Sequence, residues 1–208
     1  MISVNAIVGS LVYRTREALN KNAKFLHDIQ NYAFVDNCMV DGRFSLWHYP
    51  GTMNEISNVL LNLDKHINGN LLKFPSFLNF QNIKQDKGSE TIIHYNLAIV
   101  APVLSEWLTE EREYQTFELV LRPIYEEFIK QISMSGFFNI DYGTPRHTYY
   151  EVFTTGENSG VMLERYGDNM DAIELHDLRL ELKPRFCHEE TIKRENKLII
   201  NGFETLLI

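Results

Sequence analysis

The two cysteines and seven histidines of this 208-residue chain are its side chains best suited to chemistry. Cys38, His48, Cys187 and His188 combine the thiolate and imidazole groups that suit zinc, and Glu189 and Glu190 stand beside the second pair. Their spacing argues against a metal centre: neither Cys-x-x-Cys nor His-Glu-x-x-His occurs, and no two histidines stand four apart. Nucleophilic catalysis would want a serine on a sharp glycine-flanked turn, yet Gly-x-Ser-x-Gly is absent, and Ser159 before Gly160 reads as a loop residue. Neither Gly-x-Gly-x-x-Gly nor a Gly-Lys-Ser/Thr ending is present, so a phosphate-cradling loop is not expected. The pairs Glu110-Glu111, Glu126-Glu127 and Glu189-Glu190 offer an acid and a base in principle. On helices such pairs are usually a solvated face. The reading therefore assigns no catalytic residue, no metal ligand and no cofactor.

Aromatic residues are a different matter, at 12% of the chain. Phe137, Phe138, Tyr142, Tyr149 and Tyr150 crowd one passage. They are expected either to pack in the core or to form an interface, where aromatic anchors are enriched.

The elements that would position these groups follow from periodicity. Ile7, Leu11, Leu19, Leu26 and Ile29 recur at helical spacing through the first thirty residues, which predicts one amphipathic helix. Arg43 to Tyr49 is a short strand closed by Pro50-Gly51. Met53, Ile56, Val59, Leu60 and Leu63 predict a second helix with Thr52 as N-cap and Asn68-Gly69 as its end. Leu71 to Phe80 and Thr91 to Val103 predict a long antiparallel hairpin, with Pro75 at the start of its strand or on an edge. Glu106 to Ser135 reads as a long helix lined by Phe117, Val120, Leu121, Ile124, Phe128 and Ile132, kinked or divided at Pro123 and stopped at Ser135-Gly136.

Three later strands are expected at Tyr149 to Thr154, Gly160 to Tyr166 and Asp171 to Leu182. In the third, Ile173 and Leu175 are in one phase but Leu178, Leu180 and Leu182 in the other, which a β-bulge near His176 or Asp177 would reconcile. Asn201-Gly202 predicts a tight terminal hairpin that presents Leu198, Ile200, Phe203 and Leu206. The expectation is an α+β fold: a mostly antiparallel sheet packed by two or three helices. Residues 1–183 form one domain, and residues 184–208 form an extension with a β-hairpin arm.

Composition narrows the function further. Twenty basic against 28 acidic side chains leave a charge of −8, which argues against gripping duplex DNA, because that affinity comes mostly from Lys and Arg displacing counterions. No apolar run approaches the roughly 20 residues that a spanning helix needs, and Met1-Ile2-Ser3-Val4-Asn5 lacks the pattern of a signal peptide. A soluble chain made inside the cell, with no membrane partner, is expected. Two distant cysteines are too few for a disulfide framework and read as thiols.

One resemblance adds to this. Leu72-Lys73-Phe74-Pro75, Tyr95 to Ala101, Glu110-Glu111-Arg112-Glu113, and Phe117 to Phe128 with its Arg122-Pro123-Ile124-Tyr125 resemble the tail terminator or head–tail connector proteins of tailed bacteriophages of Bacteroides-type hosts. The similarity covers about residues 70–132. It implies an α+β subunit of a homo-oligomeric ring, a virion protein assembled in the host cytoplasm. The ring would join the tail to portal, connector or tail-tube proteins, and DNA would slide through its lumen without specific binding. On that reading Phe137, Phe138, Tyr142, Tyr149, Tyr150, Leu198, Ile200, Phe203 and Leu206 are interface candidates. Two other classes stand beside it: a small metal-dependent hydrolase built on Cys38, His48, Cys187 and His188, and a phage-encoded adaptor that binds a protein through its aromatic cluster.

Overall fold

The computed structural model describes residues 4–66, 68–80, 84–87, 91–140, 143–153 and 169–183. Helix α1 (Val4–Leu19) buries Ile7, Val8, Leu11, Val12 and Leu19 along one stripe. The helix expected to run through residue 30 breaks at Asn20 to Asn22. There the Asn22 side chain caps α2 (Ala23–Asp28) by accepting from the backbone N–H of Lys24 and Phe25. Asn20 turns instead to Phe44, donating to its carbonyl at 2.9 Å and accepting from its N–H at 2.8 Å. A tertiary partner thus ends the helix where periodicity alone would continue it. A short α3 (Val35–Cys38) then leads into the hairpin β1 (Met39–Val40) and β2 (Arg43–Phe44).

Strand β3 (Trp47–Gly51), helix α4 (Met53–Leu63) and strand β4 (Ser76–Phe80) form a crossover unit, because β3 and β4 pair in parallel from Trp47 opposite Ser76 to Gly51 opposite Phe80. Thr52 caps α4 as expected, and Glu55 completes a capping box by accepting from the Thr52 N–H at 2.7 Å. The helix stops at Leu63, several residues before Asn68-Gly69. At Gly69 a Cβ would lie 1.6 Å from the Leu63 carbonyl oxygen, so only glycine lets the chain pass back beneath the helix end. Residues 69–72 form a single 3-10 turn, so Leu71 and Leu72 leave the strand expected from Leu71, and Pro75 stands just ahead of β4, where no ladder donor is needed.

The rest of the sheet is antiparallel. Strand β5 (Lys84–Lys87) and strand β4 both pair with β6 (Thr91–Pro102), which makes the expected hairpin. After the long helix come β7 (Phe138–Asn139), β8 (Arg146–Val152) and β9 (Met170–Leu182), and β9 lies against β6, β7 and β8. The expected bulge is present: the register steps from Tyr95 opposite Leu178 to Leu97 opposite Leu175, and Asp177 takes φ 51°. That extra residue lets Ile173, Leu175, Leu178, Leu180 and Leu182 all enter one core.

One sheet face is covered by α1 and by the long helix, which consists of α5 (Thr109–Arg112), a π-helical stretch (Glu113–Leu121) and α6 (Arg122–Met134). The helical type changes at Arg122, so the expected division is present just ahead of Pro123. Ahead of the proline the turns widen, with the Arg122 N–H donating to the Phe117 carbonyl, and Pro123 enters the first turn of α6, where its missing N–H matters least. Phe117, Val120, Leu121, Ile124, Phe128 and Ile132 are all buried, each adding about 1.5–3 kcal/mol of apolar burial, and Phe128 meets Phe77 of β4 with ring centroids 4.7 Å apart.

On the opposite face α4 covers one end, packing Ile56 and Leu60 on Leu78, Ala98, Val100 and Ala172. The fold is α+β, a mostly antiparallel sheet between helices. Among the described residues no helix is long and apolar enough to cross a membrane. The strand expected at 160–166 and the arm at 184–208 lie outside the described residues.

Candidate functional site

Of the cysteines and histidines offered as a metal set, Cys38 and His48 lie among the described residues. Cys38 is buried, with its Sγ 3.4 Å from the Val35 carbonyl oxygen, and burial pushes its thiol up to about 12, so the nucleophilic thiolate is suppressed at neutral pH. His48 lies under α1, where a Cβ on Gly9 would come 3.3 Å from its Nδ1. Its Nε2 is buried without a hydrogen-bond partner, and burial lowers its pKa to about 4, leaving the ring neutral. Among the described residues no three His, Cys, Asp or Glu side chains converge where they could hold a metal ion. Cys187, His188, Glu189 and Glu190 lie outside those residues.

The glutamate pairs also have structural uses. Glu111 accepts from the Leu108 N–H at 3.1 Å, capping the long helix, which starts at Thr109. Glu127 accepts from Lys130 at 3.1 Å and from Gln131 at 2.6 Å.

The aromatic group divides. Phe137 and Phe138 are buried in the main core, with the Arg14 guanidinium over the Phe137 ring at 5.2 Å, which corrects their place among surface anchors. Apolar burial wins here because the turn after Gly136 (φ 71°) drives both rings under the sheet. Tyr149 and Tyr150 separate by the two-residue period of β8. Tyr149 packs on Tyr125 with ring centroids 4.8 Å apart and donates to Glu151, whereas Tyr150 is 50% exposed on the other face, its ring centroid 5.1 Å from that of His176 in a T-shaped contact. Of the described candidates, Tyr150 is the one presented to solvent. Tyr142, Leu198, Ile200, Phe203 and Leu206 lie outside the described residues.

What sequence reasoning missed is the part of the sheet face that α4 leaves uncovered. Register places Lys84 opposite His94, His94 opposite Arg179, and Arg179 opposite Arg146, so four strands set one row of basic residue types across the sheet. His94 Nδ1 is held 2.5 Å from Asp177 Oδ1 beside the bulge, and His176 Nε2 lies 2.7 Å from Glu174 Oε2. Arg146 and Arg179 are exposed and line a groove of about 390 Å³ with Asn139, Ile140, Thr144, Pro145 and Glu181. The polar phase of β9 after the bulge, Arg179 then Glu181, is visible in the sequence. Its alignment with Arg146 and His94 depends on strand order and register, which no local pattern reveals.

At the other end of β9 a different surface protrudes. The chain leaves β6 at Pro102, opposite Met170, and forms a corner in which Leu108 is 73% exposed and Leu104, Glu106, Glu110 and Glu111 face solvent. Behind this corner Arg112 bonds the buried Asp171 through Nε at 3.0 Å and through Nη2, fixing the helix start to the beginning of β9. One end of the molecule is thus acidic and apolar, the other basic and grooved. No protein-family model, no curated protein and no solved structure matches the chain.

Proposed function

We propose that this chain is a structural subunit of a tailed-phage particle, forming a homo-oligomeric ring at the head–tail joint and transforming no substrate. The observation that carries the reading is the arrangement of the segments that resemble tail terminators and connectors. Residues 76–80 and 91–102 pair antiparallel, and the helix bearing Arg122-Pro123-Ile124-Tyr125 packs across them.

Physical arguments support it. A charge of −8 suits a lumen that DNA must traverse without sticking, because like charge repels the backbone. Among the described residues the sheet ends on β3 at one side and on β7 and β8 at the other, and an edge can be met by a neighbouring subunit. Opposite ends of unlike character suit a heterologous contact, which closes into a ring when repeated about an axis.

Mass spectrometry of purified particles from the genome that encodes the chain tests the role. Presence at a fixed, small copy number relative to the tail-tube protein is expected. Its absence from mature particles contradicts the proposal.

A further inference from the structure

We propose that the Arg146/Arg179 groove of one copy receives the Leu104–Glu111 corner of a second copy, head to tail. This inference rests on the ring reading and names the surfaces that would close it.

The groove needs an anionic occupant. Two like charges directly opposite each other on neighbouring strands repel, and Arg146 and Arg179 stand in that relation, while His94 on the far side of Arg179 is already met by Asp177. Neither arginine has a carboxylate within ion-pair distance among the described residues. Glu181, which shares the groove, is engaged as an acceptor from Asn139 at 2.8 Å. Arginine presents a planar fork suited to carboxylates, and the groove also offers Ile140 and Pro145 as apolar lining.

The corner has the matching chemistry. Leu108 is a large apolar side chain left almost bare, flanked by Glu106, Glu110 and Glu111. Its backbone is held by the Glu111 carboxylate, and the helix behind it by the Arg112–Asp171 pair, so the knob is rigid before contact. Met170 lies by the corner and Arg179 by the groove, so nine residues of β9, roughly 30 Å of strand, separate them. Surfaces at opposite ends cannot satisfy each other within one molecule. They can do so between copies, and the contact they make is heterologous. Nucleic acid is the competing occupant for two arginines, and the acidic surplus of the whole chain disfavours it.

The test uses the full chain and two double variants, R146E/R179E in the groove and E106R/E110R on the corner, which leave the Glu111 cap in place. All four side chains are exposed, and circular dichroism and a melting curve check that each variant folds. Sedimentation at about 100 mM salt should show wild type self-associating and each variant weakened by about a hundredfold, because reversed charges turn attraction into repulsion. Mixing the two variants should restore assembly in alternation, since the intact corner of one meets the intact groove of the other and the reversed groove of the first meets the reversed corner of the second. The quadruple variant should assemble again.

A ring that forms equally well from either variant overturns this inference and leaves the ring reading standing. A wild-type chain that stays monomeric at every concentration overturns both. Binding of a short DNA duplex that R146E/R179E abolishes, with assembly unchanged, assigns the groove to phosphate and also overturns the inference.

Discussion

Arg122 grips Glu151 with two parallel hydrogen bonds, Nε to Oε1 at 2.8 Å and Nη2 to Oε2 at 2.9 Å, across 29 residues of chain. Nη2 also meets Glu113 Oε1 at 2.5 Å. The fork therefore ties the junction between the π-helical turns and α6 to the edge strand β8, with the Tyr149 hydroxyl donating to the same carboxylate. The arginine of the Arg-Pro-Ile-Tyr segment acts as framework.

That pairing predicts a pH effect of definite sign. Hydrogen bonds from Arg122 hold the Glu151 carboxyl below its ordinary range, so its contribution is present above the unfolded carboxylate pKa and is lost as pH falls through the folded value. Glu151→Gln should cost about 1–2 kcal/mol at pH 7, reduced from a buried pair because both side chains are partly wet. Urea unfolding at pH 7 and pH 3 checks this: the difference between wild type and variant should shrink at the lower pH. An equal difference at both contradicts it.

Asp171 is fully buried and its carboxylate is held by Arg112. Asp171→Ala leaves that guanidinium in a poorly hydrated place and should cost about 3–5 kcal/mol. A loss under about 1 kcal/mol in the same urea experiment would show that the pair is no more than a surface bridge.

His48 predicts an acid limb at milder pH. Its folded pKa of about 4 lies below the ordinary 6.5, so the unfolded chain binds the extra proton first between those values. This group's contribution is complete above pH 6.5 and declines toward pH 4, by about 3 kcal/mol in all. His48→Phe should remove that part of the slope, as measured by melting temperature at several pH values. A variant with the wild-type slope between pH 6.5 and 4 would mean that the ring is solvated.

The division of the aromatic group is open to direct test. Phe138→Ala should cost about 3–5 kcal/mol through the cavity it leaves, and Tyr150→Ala should stay within about 0.5 kcal/mol. The reverse order in chemical denaturation would put Phe138 on the surface after all.

Much of the fold was legible wherever one face of an element decides its burial. The inward side of the 109–134 helix is the row from Phe117 to Ile132, and the phase change between Leu175 and Leu178 located the bulge to His176 or Asp177. Local chemistry marked Thr52 as a cap, whereas the hairpin turn at Asp41-Gly42, both at positive φ, went unread although the dipeptide carries its signature. Elements set by distant partners were not legible. Asn20 ends α1 because Phe44 is there to meet it, and β3 runs parallel to β4 because α4 carries the chain back across the sheet. The same limit hid the candidate site: Arg146, Arg179 and His94 become neighbours through register alone.

Negative-stain imaging of the purified full chain tests the central claim most directly. Closed rings of uniform diameter with a central hole wide enough for duplex DNA, about 20 Å or more, are the expected result. Single particles of one subunit at every concentration and salt would contradict it.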